Sequence, residues 1–172
     1  MKTISPERPI PTRILGIDPG LQCTGYAVLE GTLRGVTLCE AGVVRTTGKD
    51  LAVRLTTLFD SMAEVLEEWK PESIAIEQLY AHYAHPRTAI LMGHARGVFF
   101  LLGGQRGLPV LSYPSTHIKR LVTGSGHASK LQMQHAVMRE LGLTKPPEPH
   151  DVADAIAVAL CHLSAKKRPD LK

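Results

Sequence analysis

The sequence lacks the features that mark a secreted, membrane-spanning or zinc-stapled protein. It has three cysteines, Cys23, Cys39 and Cys161, which stand far apart with no CxxC pair. Such an odd, scattered set argues against a disulfide framework and a structural zinc site, and for reduced thiols in a cytoplasmic protein. No apolar run is long enough to span a bilayer, so no membrane role is expected. The opening residues, Met1 to Arg8, have no apolar centre of the signal-peptide kind. There is no internal repeat and no low-complexity tract.

What is present is ordinary for a globular domain. The 172 residues are the size of one domain able to bury a core, with 44% hydrophobic and 21% charged residues. The net charge of +4 is a mild basic excess. It is compatible with nucleic-acid binding, but many proteins that bind none share it.

Residues 1–12 carry three prolines and mixed charge and read as a flexible arm. A domain over 13–165 and a basic, frayed tail over 166–172 complete the division. Arg13 to Asp18 reads as a buried first strand stopped by Pro19-Gly20, Thr24 to Glu30 as a second and Val36 to Thr46 as a third. Gly31, Gly35 and Gly42 are expected at turns or bulges. Three strands in succession suggest an antiparallel meander. Leu51, Leu55, Leu58, Met62, Val65 and Trp69 then recur at steps of three and four, the stripe of an amphipathic helix ended by Pro71. Ser73 to Glu77 reads as a short buried strand and 79–86 as a loop. Arg87 to Leu102 reads as a helix stopped at Gly103-Gly104, and Pro109 to Tyr113 as another strand. Helices are expected near 115–122, 129–141 and 150–164. The fold class is α/β, a mixed sheet with helices on both faces.

Four acids stand out. Asp18 ends a buried strand, although Asp-Pro-Gly is also good turn chemistry. Glu77 ends the apolar run Ile74-Ala75-Ile76, and glutamate is seldom chosen for turns. Asp151 and Asp154 are three apart at the start of the last helix, about 60° apart around its axis. An acid there also suits the helix dipole, which weakens the case for Asp151 alone. Val152, Ile156, Ala159 and Leu163 are expected on the opposite face, against the sheet margin. If the four acids converge, repulsion and burial raise their pKa values unless cations neutralise them. Hard carboxylate oxygens favour Mg²⁺ or Mn²⁺. Two such ions about 3.5–4 Å apart can drive phosphodiester hydrolysis.

These segments resemble the motifs of the RuvC family of Holliday junction resolvases, nucleases on an RNase H-like fold. Leu15-Gly16-Ile17-Asp18-Pro19-Gly20 with Thr24-Gly25-Tyr26 is similar to the first motif and Ile74-Ala75-Ile76-Glu77-Gln78 to the second. Ala95-Arg96-Gly97-Val98 resembles the family's segment on the following helix, and Asp151-Val152-Ala153-Asp154-Ala155-Ile156-Ala157 the last motif. The resemblance covers residues 13–165. It implies a homodimer that makes paired, Mg²⁺-dependent nicks in four-way junction DNA, in recombination and repair, alongside the RuvA and RuvB branch-migration proteins. It implies that Asp18, Glu77, Asp151 and Asp154 are catalytic metal ligands holding two ions per site. Asp18 would serve both ions, one with the helical acids and the other with Glu77. It also places Tyr80 at a DNA-contacting aromatic and Lys119 and Lys130 near the phosphates. Some relatives carry His where this chain has Asp151, so the adjacent His150 is an open question, as is the role of the arm.

The remaining polar residues have plainer readings. Lys119, Arg120 and Lys130 flank Thr123-Gly124-Ser125-Gly126. Ser129 before Lys130 can cap a helix aimed at phosphate. Tyr80 suits stacking on unpaired bases, while Tyr83 suits the core edge. His82 and His85 do not suggest zinc, and His162 reads as structural. Arg54, Arg87 and Arg96 read as solvated or salt-bridged. Ile90, Leu91, Ala95, Val98, Phe99 and Leu102 suit either core or dimer contact. Three rivals stand beside the resolvase. An ATP-binding protein of the actin and sugar-kinase type shares the Gly-Ile-Asp-x-Gly turn but needs two such domains. A non-catalytic junction-binding module would not need all four acids. Another RNase H-like nuclease acting on RNA or RNA–DNA hybrids is the nearest rival.

Overall fold

The computed structural model describes residues 11–79 and 86–167. Three strands, β1 (Thr12–Asp18), β2 (Cys23–Thr32) and β3 (Gly35–Arg45), form the antiparallel meander expected from the sequence. Helix α1 (Leu51–Trp69) follows, with Asp50 accepting at its N-terminus from the Ala52 and Val53 amides. It ends at Trp69, two residues before Pro71, and Lys70 between them takes a left-handed conformation and donates its amide to the Leu66 carbonyl. Strand β4 (Ser73–Glu77), α2 (Pro86–Gln105) and β5 (Val110–Tyr113) come next, then α3 (Ser115–Thr123), α4 (Lys130–Glu140) and α5 (His150–Lys167). The five-stranded sheet has the order β3-β2-β1-β4-β5, with β4 and β5 parallel to β1.

Strand alternation sorts the core into two layers. Ile14, Ala27, Leu29 and Ala75 face α5, whose outer side is covered by α3 and α4. Leu15, Ile17, Val28, Ile74 and Ile76 face the other way and pack with Leu58 and Met62 of α1 and Phe99 and Leu102 of α2. Helices on both faces of a mixed sheet are the expected architecture.

Four local expectations are corrected. Gly103 and Gly104 do not stop α2, which runs on to Gln105. A β-carbon on the buried Gly103 would collide with Val110, so glycine there lets the helix lie close to β5. Gly31 and Gly42 lie within strands rather than in turns. The space a side chain would fill is taken by Leu163 beside Gly31 and by the Tyr26 ring beside Gly42. The last helix continues to Lys167, and Lys166 is not frayed, since its ammonium bonds Glu72 at 2.9 Å. Finally, α5 lies over β1 and β2 and not at the margin, with Val152 through Leu163 buried except for Asp154.

Candidate active site

The four acids reach one end of the sheet by separate routes. Asp18 lies on the same face of β1 as Ile14 and Gly16, so it points to the α5 side. Glu77 shares that face with Ala75 on β4, one step beyond the Ile17–Ile76 pairing that sets β4 beside β1. Across the other edge of β1, Asp18 pairs with Gly25 of β2. That glycine is where α5 touches down, because a β-carbon there would run into the Asp151 carbonyl and stand 3.0 Å from the Asp151 β-carbon. Gly16 does the same one turn along, where an added β-carbon would be 2.8 Å from the Ala159 amide nitrogen and would meet the Ala155 carbonyl. Two side-chain-free positions thus let α5 settle backbone-close on the sheet, with its first turn over the end of β1. This also revises the helical face. Ala155, Ala159 and Asp151 all meet the sheet, so Asp151 lies on the packed side and not opposite it.

The turn after Asp18 is braced from within. The buried Thr24 hydroxyl donates to the Gly20 carbonyl and accepts from the Gly20 amide at 3.2 Å. This is the role of the threonine in the first motif.

The acids feel one another. Burial, then the charges of Glu77, Asp154 and Asp151, push Asp18 up to about 8, with Lys130 pulling the other way. Glu77 is raised by burial, opposed by the Ser115 side chain and by Lys119, with Asp154 adding to the rise. Asp154 is raised by burial, and Lys130, His150 and Lys119 oppose this while Asp151 adds to it. Lys119 and Lys130 therefore face the acid cluster from α3 and α4, the two lysines singled out in the sequence. Ser129 caps α4 in a reciprocal capping box with Gln132, as its sequence position suggests. His150, exposed at the head of α5, contributes charge beside Asp154.

Four clustered carboxylates, of which burial and mutual repulsion raise Asp18, Glu77 and Asp154, suit divalent cations in donor type and charge. Among the described residues no three such side chains are already closed into a metal-holding group. Closure around an ion therefore requires the carboxylates to draw together. Beside them opens a cavity of about 660 Å³ lined by Asp18, Glu77, Met92 and Ser115 among others.

Several residues have roles the sequence did not disclose. Arg96 is half-buried and, among the described residues, in no salt bridge. It lies 4.7 Å over the Phe100 ring, donates to the Glu77 carbonyl at 3.4 Å and bonds the Ser112 hydroxyl, so it braces the β4 end from the opposite face. Arg54 likewise bonds the Thr46 hydroxyl at 2.8 Å and the Leu21 carbonyl at 3.2 Å. Cys23 stands next to Asp151, whose charge adds to the effect of burial in raising the thiol. No spacing pattern pointed to that pair. His162 is structural, as expected, bonded to the Ser73 hydroxyl at 3.0 Å and the Tyr113 hydroxyl at 2.6 Å. Arg87 is exposed. Tyr80, His82, Tyr83 and His85 lie outside the described residues, as do residues 1–10 and 168–172.

Known proteins resemble this chain in sequence and in fold. The family model for crossover junction endodeoxyribonuclease RuvC matches residues 14–162. A crossover junction endodeoxyribonuclease RuvC from Rhodopirellula baltica is 48% identical over 149 residues, covering 86% of this chain and 84% of that one. The Thermus thermophilus RuvC structure superposes with a TM-score of 0.83 at 30% identity, covering 92% of this chain and 97% of its own. The same Thermus thermophilus protein in complex with a Holliday junction substrate gives a TM-score of 0.82 at 26% identity, with 91% and 96% covered. The RNase H-like architecture is thereby established, and the chain belongs to the RuvC family of crossover junction endodeoxyribonucleases.

Proposed function

We propose that this chain resolves Holliday junctions by paired, metal-dependent nicks, using Asp18, Glu77, Asp151 and Asp154 as the metal-binding catalytic acids. The observation that carries this reading is the placement of those acids. Two strand ends and one helical turn meet at one end of the sheet, and the burial and mutual repulsion of their acids call for cations. Bound Mg²⁺, two ions per site, would supply Lewis acidity for attack of water on the phosphodiester and for departure of the 3′ oxygen. The chain's own residues hold and orient. Asp18 stands between Glu77 and the α5 acids, so it serves both sides of the site. Lys119 and Lys130 offset the negative charge and suit the phosphates flanking the cut. Thr24 and Arg96 keep the ends of β1 and β4 in place.

Action as a homodimer is supported by α2, which carries apolar residues on the side away from the core as well as on the packed side. Ala95, Phe99 and Leu102 are buried in the core, while Ile90 is 60% and Leu101 54% exposed. With Gly93, Gly97 and Gly104 they form a stripe along the helix that suits a second copy of the chain. Two sites related by a two-fold axis match a junction of like symmetry. Cooperation with RuvA and RuvB, a role in DNA repair, and a cytoplasmic location belong to the same reading. Among the described residues no helix is long and apolar enough to cross a membrane.

The test is Asp18→Asn with a panel of four-way junction, linear duplex and RNA–DNA hybrid. The variant is expected to bind the junction and leave it uncut in Mg²⁺, while the parent chain cuts the junction in preference to the others. Full cutting by Asp18→Asn would refute the assignment of the acids. Preference for the hybrid would make the chain an RNA-directed nuclease.

A further inference from the structure

The sheet edge beside Glu77 is tied down by a buried hydrogen-bond bridge that the cutting chemistry does not itself use. Strand β5 is the short outer strand, paired on one side only, to β4. Its last residue, Tyr113, stands opposite Glu77 in the parallel register, and its carbonyl accepts from the Gln78 amide at 2.9 Å. The chain then turns at Pro114 into α3. That helix has no side-chain cap at its start, unlike α1 and α4, which are capped by Asp50 and Ser129. The direction in which α3 leaves the sheet therefore depends on what holds Tyr113.

What holds it is His162 of α5. The two nitrogens of this buried ring reach Ser73 Oγ, at the start of β4, at 3.0 Å and the Tyr113 hydroxyl at 2.6 Å. The Tyr113 ring adjoins a second imidazole, stacking on His117 of α3 with centroids 6.3 Å apart. One side chain thus joins α5, β5 and α3. Burial and the charge of Lys166 lower the pKa of His162. The neutral imidazole donates from one nitrogen and accepts at the other, so it serves both hydroxyls. Lys166 is itself paired with Glu72 at 2.9 Å. Two parts of the site meet through this join. Helix α5 carries Asp154 about 12 Å back along its axis from His162. Helix α3 carries Ser115, whose side chain bonds Glu77, and Lys119, whose charge acts on Glu77 and Asp154. Ile118 also packs α3 on α5, but apolar contact is non-directional and leaves the helix free to slide.

We infer that His162 and Tyr113 are positioning residues of the cutting reaction, a latch from α5 to the β5–α3 turn that sets where Ser115 and Lys119 stand against Glu77 and Asp154. This rests on the junction-cutting reading above. Ser73 bonds the same ring but begins β4, whereas Glu77 ends it. Its bond serves stability and not the site, which gives the latch an internal control.

The test is Tyr113→Phe in the full-length chain, which removes the hydroxyl and keeps the ring. Single-turnover cutting at saturating junction and Mg²⁺ is expected to fall about ten-fold, because groups at the site are displaced. Junction affinity is expected to stay within about two-fold, since the loss falls on the step and not on binding. Ser73→Ala frees the other nitrogen of the same ring. It is expected to lower Tm by a similar amount yet keep the rate within a few-fold. In a chain already carrying Ser115→Ala and Lys119→Ala, adding Tyr113→Phe should cost little further rate, because the groups that the latch positions are gone. Should Tyr113→Phe not fold, His162→Gln carries the same test, as its amide reaches Ser73 and not Tyr113. Equal rate losses from Ser73→Ala and Tyr113→Phe, or an undiminished loss in the doubly substituted chain, overturn the latch. His162 then serves stability alone, and the junction-cutting reading stands. A parent chain that cuts no junction overturns both.

Discussion

The two faces of the sheet are built from different materials. Toward α1 and α2 the core is bulky, with Leu58, Met62, Phe99, Leu102, Leu15 and Ile76 fully buried. Toward α5, Ile14, Leu29 and Ile156 are joined by many small residues, with Ala27, Ala75, Ala153, Ala155, Ala157 and Ala159 buried beside Gly16 and Gly25. Large interlocking side chains bury much area and tolerate small shifts by repacking. Small residues bury less, but they bring helix and strand backbones into contact and leave one way for the helix to lie. The bulky face accounts for stability, and the small face sets where Asp151 and Asp154 stand relative to Asp18.

The sharpest way to break this contrast is to add one methyl group to the small face. Gly25→Ala places a β-carbon against the Asp151 carbonyl, so α5 must lift from the sheet end. Junction cutting is expected to fall about 100-fold or more, as a displacement near 1 Å can cause in a positioned site. Single-turnover rates check this, alongside circular dichroism showing the chain folded. Phe99→Ala on the bulky face is the counterpart. It should cost about 3–5 kcal/mol of stability in urea unfolding, yet leave the cutting rate of the folded molecules within a few-fold. If the two variants lose rate and stability in the same proportion, the faces do not differ in the way described.

How much of this was legible follows from the same contrast. The bulky side announces itself, because Leu51, Leu55, Leu58 and Met62 keep a clear helical period and α1 contains the whole expected stripe from Leu51 to Trp69. The strand acids were also legible, since Asp18 and Glu77 each close a buried apolar run and the alternation rule puts both on one face. Helix α5 was not. Its run from Val152 to Leu163 is apolar apart from Asp154 and His162, so no polar stripe marks which face meets the sheet, and Asp151 was assigned to the wrong one. Which glycines mark turns and which mark close contacts also depends on partners distant in sequence. Gly31 meets Leu163 and Gly103 meets Val110, and neither pairing has a local signature. Arg96 and Cys23 were missed for the same reason, as Glu77, Ser112 and Asp151 are brought to them from other elements of the fold.

Two smaller effects sharpen the comparison. With Asp18 raised to about 8 from an ordinary 3.8, the folded chain holds a proton there that the unfolded chain gives up. The metal-free fold therefore loses stability as pH climbs from about 4 to about 8. Asp18→Asn should flatten that decline and raise the metal-free Tm near pH 8. The rise should be about 2–4 °C for each kcal/mol relieved in a chain of this size, read by thermal melts across pH. A Tm that falls on substitution would contradict it. The smallest effect belongs to Lys130. Lys130→Ala should weaken junction binding evenly across sequences and reduce the slope of log affinity against log salt by roughly 1. An unchanged slope would remove this lysine from the phosphate contacts.

The most direct measurement is a calorimetric titration of Mn²⁺ into the parent chain and Glu77→Gln near pH 7, in two buffers of different ionisation heat. The account predicts that the parent chain takes up the ion with release of a proton, because binding ionises the buried acids. It also predicts that Glu77→Gln, whose only change is at the end of β4, binds far more weakly. Equal affinity and equal proton release in the two proteins would show that the strand and helix carboxylates do not form one site.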